Sequence, residues 1–181
     1  MNEFLTYEYA VAPDKRSGAQ RKKKTVFLLI YIFFTAALLA LVLGVGMLFL
    51  PLFALAPIAV WLLVFLTWRF TDPEYEYSIT SGEMTFSIIY GGKTRKKVFE
   101  QAVRSMEAVA PLTDMYRDKI LDYKPQRVFE GASSHESPDA YFALFENGDG
   151  ERCVYYFEAT ARALKILRHY NVKTVIKEVR Y

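Results

Sequence analysis

One long stretch of the chain contains no charged or amide side chain. It runs from Thr25 to Trp68, which is 44 consecutive residues without Asp, Glu, Lys, Arg, His, Asn or Gln. A transmembrane helix needs about 20 apolar residues to cross roughly 30 Å of hydrocarbon, so this stretch is long enough for two helices. Because backbone groups in lipid must find partners within the protein, two helices joined by a tight turn are the simplest arrangement. The pattern predicts a transmembrane helical hairpin over residues 25–69.

The turn of the hairpin is predicted between Gly44 and Pro51, where glycine and proline are concentrated. The two helices then cover about residues 25–46 and 50–68. A buried helical pair in a soluble protein is the alternative, but such a pair would carry charged or amide residues at helical spacing, and this stretch has none. Residues 1–24 are predicted to form a basic N-terminal arm, and residues 72–181 a soluble domain.

Within the soluble domain, apolar and polar residues alternate in short runs separated by turn residues. This period of two is typical of antiparallel strands with one buried face. From Thr160, which can cap a helix, apolar residues recur at helical spacing as far as Tyr170. The pattern predicts about seven strands and one C-terminal helix. The predicted strands are residues 75–80, 84–90, 95–99, 105–110, 126–129, 141–145 and 153–157.

The distribution of basic residues predicts the orientation of the hairpin. Basic residues precede the first helix and follow the second, whereas the predicted turn has no charge; these residues are Arg21, Lys22, Lys23, Lys24 and Arg69. Loops rich in Lys and Arg stay on the cytoplasmic side of a membrane. We therefore predict a protein that crosses the cell (plasma) membrane twice, with both termini in the cytoplasm.

Small residues recur every four positions in the first predicted helix, at Ala36, Ala40 and Gly44. A face of small residues lets two helices approach closely in a membrane. We favour packing of this face against the second helix of the same hairpin. A contact between two copies of the chain is the alternative.

The order of the predicted elements resembles the pleckstrin-homology-like (PH-like) fold, in which seven antiparallel strands are closed by a C-terminal helix. More narrowly, the chain resembles a family of uncharacterised small membrane proteins of Gram-positive bacteria. The stretches that carry this resemblance are residues 75–83 (YEYSITSGE), 93–97 (KTRKK), 107–111 (EAVAP) and 156–158 (YFE). It implies an α+β membrane protein, in which a two-helix transmembrane hairpin precedes a PH-like antiparallel β-barrel or sandwich. It brings no catalytic residues.

Composition argues against several classes of function. The net charge of the chain is +3, but residues 72–181 contain 16 basic and 17 acidic groups, so nothing indicates a nucleic-acid partner. The single cysteine, Cys153, excludes an internal disulfide, and the two histidines lack the spacing of zinc ligands. No catalytic constellation is visible, and we predict no cofactor, no metal and no enzymatic activity.

A cluster of basic residues is the strongest candidate site: Lys93, Arg95, Lys96 and Lys97. It lies at the turn between two predicted strands, and near a cytoplasmic leaflet each such charge would contribute about 1 kcal/mol of attraction to anionic lipid. The alternative is a solubilising strand edge, because lysines on edge strands discourage aggregation. The nearby Gly91-Gly-Lys-Thr94 sequence lacks the first glycine of a phosphate-binding loop and a following helix, so it reads as a strand turn.

These observations favour a membrane-anchored, non-catalytic binding or scaffold module. Its expected partners are the bilayer, anionic lipid headgroups or a protein, which includes a second copy of the chain. The alternative is a structural subunit of a larger membrane complex.

Overall fold

The computed structural model of the chain describes residues 6–13, 18–45 and 54–176. The chain forms two compact units, a helical unit of Asp14–Pro73 and a sheet unit of Met1–Pro13 with Glu74–Tyr181. The helices are α1 (Gly18–Val45), α2 (Ala56–Trp68), α3 (Asp114–Tyr123) and α4 (Ala161–Tyr170). The strands are β1 (Thr6–Val11), β2 (Pro73–Thr80), β3 (Glu83–Tyr90), β4 (Thr94–Ala102), β5 (Ala108–Pro111), β6 (Arg127–Gly131), β7 (Ala140–Glu146) and β8 (Arg152–Glu158).

In the helical unit, α1 begins at Gly18 rather than at Thr25, so the basic run belongs to the helix. Among the described residues, one stretch, Lys22–Leu41, has the length and composition of a membrane span. The 13 residues of α2 extend only about 20 Å at 1.5 Å per residue. The predicted turn and the predicted start of the second helix fall within residues 46–53, outside the described residues. The pair of membrane spans therefore stays a prediction.

One face of α1 contacts α2. Its less exposed side chains recur at Phe27, Tyr31, Phe34 and Leu38, which is the spacing of a single helix face. The hydroxyl of Thr67 donates to the carbonyl of Leu63 at 2.6 Å and accepts from Tyr31 at 2.6 Å. The bond between Tyr31 and Thr67 joins the two helices, and both hydroxyls find their partners within the protein.

The small residues of α1 do not lie on that face. Ala36, Ala40 and Gly44 are exposed, and nothing approaches within 4 Å of a Cβ built at Gly44. The structure therefore corrects the preferred interpretation, because α2 packs on the aromatic face of α1 instead. Aromatic side chains bury more area than alanines, which favours that pairing. A contact between copies of the chain through the small-residue face stays a prediction.

The sheet unit contains two four-stranded sheets. Sheet A has the order β1-β2-β3-β4, and sheet B has the order β5-β7-β8-β6. The hairpin between β2 and β3 turns at Ser81 and Gly82, both with positive φ, as a two-residue turn between twisted strands requires. Sheet B is mixed, because β6 pairs parallel to β8. The prediction of about seven antiparallel strands in a barrel or sandwich is thus corrected in part: the described residues form eight strands in two sheets, one of them mixed, and no closed barrel.

The main hydrophobic core lies between the two sheets and α4. Its largest fully buried side chains include Tyr77 and Phe86 from sheet A and Tyr155 and Phe157 from sheet B. The predicted C-terminal helix is confirmed: Thr160 caps α4 by accepting from the Ala163 amide at 3.2 Å. A second cluster covers the outer face of sheet B, where Ile120 of α3 packs with buried side chains of β7 and β8.

Candidate functional site

The basic cluster lies at the hairpin turn between β3 and β4. Gly91 and Gly92 both have positive φ, at 58° and 66°, and the Lys93 amide donates to the carbonyl of Tyr90 at 3.3 Å. Glycine adopts this conformation without steric cost, which explains why two glycines occupy the turn. The predicted strand turn is confirmed, and a strand rather than a helix follows Lys93.

Two of the four predicted cations are engaged by carboxylates. The guanidinium of Arg95 lies 2.7 Å from the buried carboxylate of Glu76, which belongs to β2 of the same sheet. The ammonium of Lys97 lies 3.0 Å from the exposed carboxylate of Glu100. The hydrogen bond and the charge of Lys97 lower the pKa of Glu100 below its ordinary value. These pairs reduce the free positive charge of the cluster.

The other two cations, Lys93 and Lys96, are exposed, and neither forms an ion pair with any residue that the structure describes. Lys96 is opposite Ile88 in the β3–β4 register, whereas Lys97 is opposite Ser87. Because side chains alternate along a strand, Lys96 and Lys97 point to different faces of sheet A. The cluster of four that the sequence predicts is therefore divided, and Lys93 and Lys96 are its free members.

Lys96 lines a groove between the edge strands β4 and β6. The groove has a volume of about 490 Å³ and also borders Arg127, Asp149 and the rings of Phe99, Phe129 and Phe145. The Phe99 ring lies 5.0 Å from that of Phe129 and 4.9 Å from that of Phe145, so aromatic rings fill the space between the sheets here. Arg127 is paired with Glu151 at 3.2 Å. The groove carries charges of both signs and is not an anion site by itself.

The position of the basic turn follows from the strand order. In an antiparallel sheet, the start of β2, the end of β3 and the start of β4 lie at the same end. β2 starts at Pro73, five residues after Trp68 ends α2. The turn with Lys93 therefore lies at the end of sheet A where the chain arrives from α2. The other end holds the Ser81-Gly82 turn, to which the Val103 amide donates at 2.8 Å.

The family of the chain follows from a comparison with family profiles. The profile described as a bacterial PH-like domain (DUF6106) matches residues 15–177. The chain belongs to this family. No curated protein and no solved structure matches it. The resemblance to bacterial PH-like proteins is confirmed, and PH-like domains in general are non-catalytic binding or scaffold modules.

The predicted topology signals of this PH-like protein lie near the start of α1 and directly after α2. Lys22 and Lys23 are exposed, and the ammonium of Lys24 lies 2.8 Å from the carboxylate of Asp72. The guanidinium of Arg69 lies 4.8 Å from the centre of the Phe70 ring. The backbone of Arg21 belongs to α1, but its side chain lies outside the described residues. The cytoplasmic location of these groups stays a prediction.

The cysteine and the aspartates of the PH-like domain that could carry chemistry lie within its core or on a helix. Cys153 is buried, and burial raises the pKa of its thiol. The acidic residues Asp114, Asp118 and Asp122 lie on α3, which begins at Asp114. Within the described part of the chain, no group of three or more His, Cys, Asp or Glu side chains could hold a metal ion.

Sequence reasoning missed two elements of the sheet unit, the helix α3 and the strand β1. Of these, β1 bonds to the residues around the start of α4. In β1, the Tyr7 hydroxyl forms a hydrogen bond with the Thr160 hydroxyl at 2.5 Å. The Tyr9 hydroxyl donates to the carboxylate of Glu158 at 3.4 Å. The signal was present, because Tyr7, Tyr9 and Val11 alternate with polar or small residues. β1 precedes residue 15 and so lies outside the family match.

Proposed function

We propose that this PH-like protein is a membrane-anchored, non-catalytic binding module that contacts anionic lipid headgroups through Lys93 and Lys96. The observation that carries the proposal is the location of these two unpaired cations. They lie at the end of sheet A where the chain arrives from the apolar helices. A membrane anchor keeps the domain next to the bilayer, so lipid headgroups are the most abundant possible partner.

The anchor is α1, whose Lys22–Leu41 stretch is long and apolar enough to cross a bilayer. Its large apolar side chains are exposed, which suits contact with lipid tails; examples are Leu29, Phe33 and Leu43. The basic residues near the start of α1, ahead of its apolar stretch, favour a cytoplasmic N-terminus. The cytoplasmic leaflet carries the anionic lipids that lysines attract.

The expected energy of the contact is modest. Each lysine near an anionic surface contributes about 1 kcal/mol, so Lys93 and Lys96 together contribute about 2 kcal/mol. That corresponds to a shift of roughly thirty-fold between the bound and free positions of the domain. Such a weak contact is sufficient here, because the covalent tether keeps the domain at high effective concentration near the surface.

The experiment uses the full chain in vesicles, with a single reporter beside the basic turn. In a Cys153→Ala background, Thr94→Cys places a fluorophore at an exposed position at the start of β4. Lipids with a quencher on the headgroup report contact with the surface. We expect stronger quenching in vesicles that contain phosphatidylglycerol than in pure phosphatidylcholine vesicles, with a decline as salt increases.

Charge reversal identifies the residues responsible. Lys93→Glu/Lys96→Glu should remove the dependence on phosphatidylglycerol. Arg104→Glu/Lys173→Glu is the matched control, because it reverses two exposed charges beside Val103 and Asn171, at the other end of sheet A. The control should behave like the parent protein. Equal quenching in the two kinds of vesicle, or equal effects of the two double variants, would overturn the lipid contact.

The second candidate is a subunit of a larger membrane complex or a homo-oligomer. The observation that favours it is the exposed face of Ala36, Ala40 and Gly44 on α1, because such faces pack against other helices in membranes. Extraction in mild detergent at native expression tests it. A partner that copurifies in fixed stoichiometry and is lost on Ala40→Leu would support this role, and its absence would argue against it.

A further inference from the structure

The apolar helices are inserted between two neighbouring strands of one sheet. β1 precedes α1, β2 follows α2, and the two strands pair antiparallel over six positions, from Thr6 opposite Thr80 to Val11 opposite Tyr75. The chain leaves sheet A after β1 and returns to the adjacent strand some 60 residues later. Both ends of the apolar segment are therefore attached to the same end of the same sheet.

β1 is an integral part of the sheet unit rather than a loose arm. The rings of Tyr7 and Tyr9 lie 6.1 Å and 5.6 Å from that of Tyr77, which is fully buried. The hydroxyls of Tyr7 and Tyr9 also bond Thr160 and Glu158, at the start of α4 and the end of β8. Losing β1 would leave the edge of β2 unpaired and would expose this aromatic cluster to water.

We infer that the chain before α1 and the domain after α2 are held on one side of the membrane, so the apolar segment crosses the bilayer and crosses back. A single crossing would place β1 and β2 on opposite sides and break their pairing. The contacts within the helical unit agree with an antiparallel return, because Lys24 near the start of α1 pairs with Asp72 just after α2. The inference rests on the proposed membrane insertion of α1 and is independent of lipid contact at Lys93 and Lys96.

The β1–β2 pairing is tested in the membrane by a cross-strand disulfide. In a Cys153→Ala background, Glu8→Cys/Ser78→Cys joins directly opposed residues. Opposed residues of an antiparallel pair have Cα atoms about 4.5–5.5 Å apart, within the range of a disulfide. The control pair, Thr6→Cys/Glu74→Cys, uses the same strands at positions that lie about 20 Å apart. Under mild oxidation of intact membranes, we expect an intrachain disulfide in the first pair and none in the control.

The number of crossings is tested by a membrane-impermeant maleimide on single cysteines. Thr6→Cys reports β1, Asp149→Cys reports the β7–β8 turn, and Met47→Cys reports the segment between α1 and α2. In membrane vesicles of one orientation, Thr6→Cys and Asp149→Cys should react together, and Met47→Cys should react only in vesicles of the opposite orientation. Resistance of the protein to carbonate extraction reports insertion of α1 separately.

Three outcomes would overturn the inference while leaving insertion intact. These are an inserted protein without the Glu8–Ser78 cross-link, Thr6→Cys and Asp149→Cys labelled in opposite orientations, or Met47→Cys labelled together with them. Release of the protein by carbonate would instead overturn the proposed anchor. A cross-link in the inserted protein, with Met47→Cys labelled from the other side, would establish the double crossing.

Discussion

Sheets A and B enclose the same core, but their outer faces differ in the side chains that they carry. Sheet B is covered on both faces, by the main core on one side and by α3 on the other, so its central strand β7 is buried from Ala140 to Phe145. In the part of the chain that the structure describes, the apolar side chains with which sheet A joins the core lie on its inner face. Its outer face carries polar residues such as Glu8, Ser78 and Lys97. Sheet B is therefore enclosed by apolar side chains on both faces, whereas the outer face of sheet A is polar.

The edges of the two sheets differ in the same way. The outer edge of β5 in sheet B is covered, because the Val109 amide donates to Thr174 at 2.9 Å and its carbonyl accepts from Ile176 at 2.8 Å. In sheet A, β4 has a strand partner on one side only among the described residues. Its lysines and the bulge between Phe86 and Ser87 are features that hinder strand addition. The open edge of sheet A thus favours contacts of side chains over contacts of backbone.

The largest expected effect tests whether the outer face of sheet B is a core. Phe142 lies on that face and is 0% exposed. Phe142→Ala should lower the free energy of unfolding by about 3–5 kcal/mol, because a cavity remains between β7 and α3. Urea unfolding of the full chain in detergent micelles, followed by circular dichroism, measures the change.

The matched substitution on the outer face of sheet A is Ser78→Ala. It should change the free energy of unfolding by no more than about 0.5 kcal/mol, because Ser78 belongs to neither hydrophobic cluster of the described residues. Similar costs for Phe142→Ala and Ser78→Ala would break the distinction between the two sheets.

An intermediate effect is expected from alkaline pH, which acts on one tyrosine from each sheet. Burial raises the pKa of both Tyr77 and Tyr155 well above the ordinary value of 10. The unfolded chain loses these protons near pH 10, whereas the folded chain keeps them. The contribution of these two tyrosines to stability is therefore fully present below pH 10. Above pH 10 it falls by about 1.4 kcal/mol per pH unit for each residue. Urea midpoints at pH 9 and 11 should differ accordingly, and Tyr155→Phe should reduce the slope.

The smallest expected effect comes from replacing each of these two tyrosines by phenylalanine, which should change the free energy of unfolding in opposite directions. The Tyr77 hydroxyl donates to the Glu158 carbonyl at 2.9 Å, whereas the buried Tyr155 hydroxyl has no partner among the described residues. Tyr77→Phe should cost about 1 kcal/mol, because a bond is lost and a carbonyl is left unsatisfied. Tyr155→Phe should stabilise by about 1 kcal/mol, because it removes an unpaired polar atom. Two changes of the same sign in urea unfolding would contradict this assignment.

Local patterns were sufficient for most of the sheet unit. The predicted strands over residues 75–80, 84–90 and 141–145 agree with β2, β3 and β7 to within two residues. Alternation shows a strand whenever one face is buried, and the glycine turns mark its ends. β1 was missed although it alternates in the same way, because its partner strand β2 lies some 60 residues away in sequence.

The candidate site was predicted in composition but not in arrangement. The sequence indicated a basic turn at Lys93–Lys97, and the structure confirms the turn. The structure also shows that Arg95 and Lys97 are paired with Glu76 and Glu100. Glu76 is 19 residues from Arg95. Whether two such residues meet depends on strand register, which no short motif encodes.

By itself, the sequence determined the apolar helices, most of the strands, the glycine turns and the C-terminal helix, because each follows from local periodicity and backbone preference. Only the tertiary structure decided that β1 pairs with β2 across the apolar segment and that β6 runs parallel to β8. It also decided that, within the basic turn, Arg95 and Lys97 are paired while Lys93 and Lys96 form no ion pair with a described residue. These features depend on contacts between residues distant in the chain. Such contacts form because they bury a shared core, and that burial has no local signature.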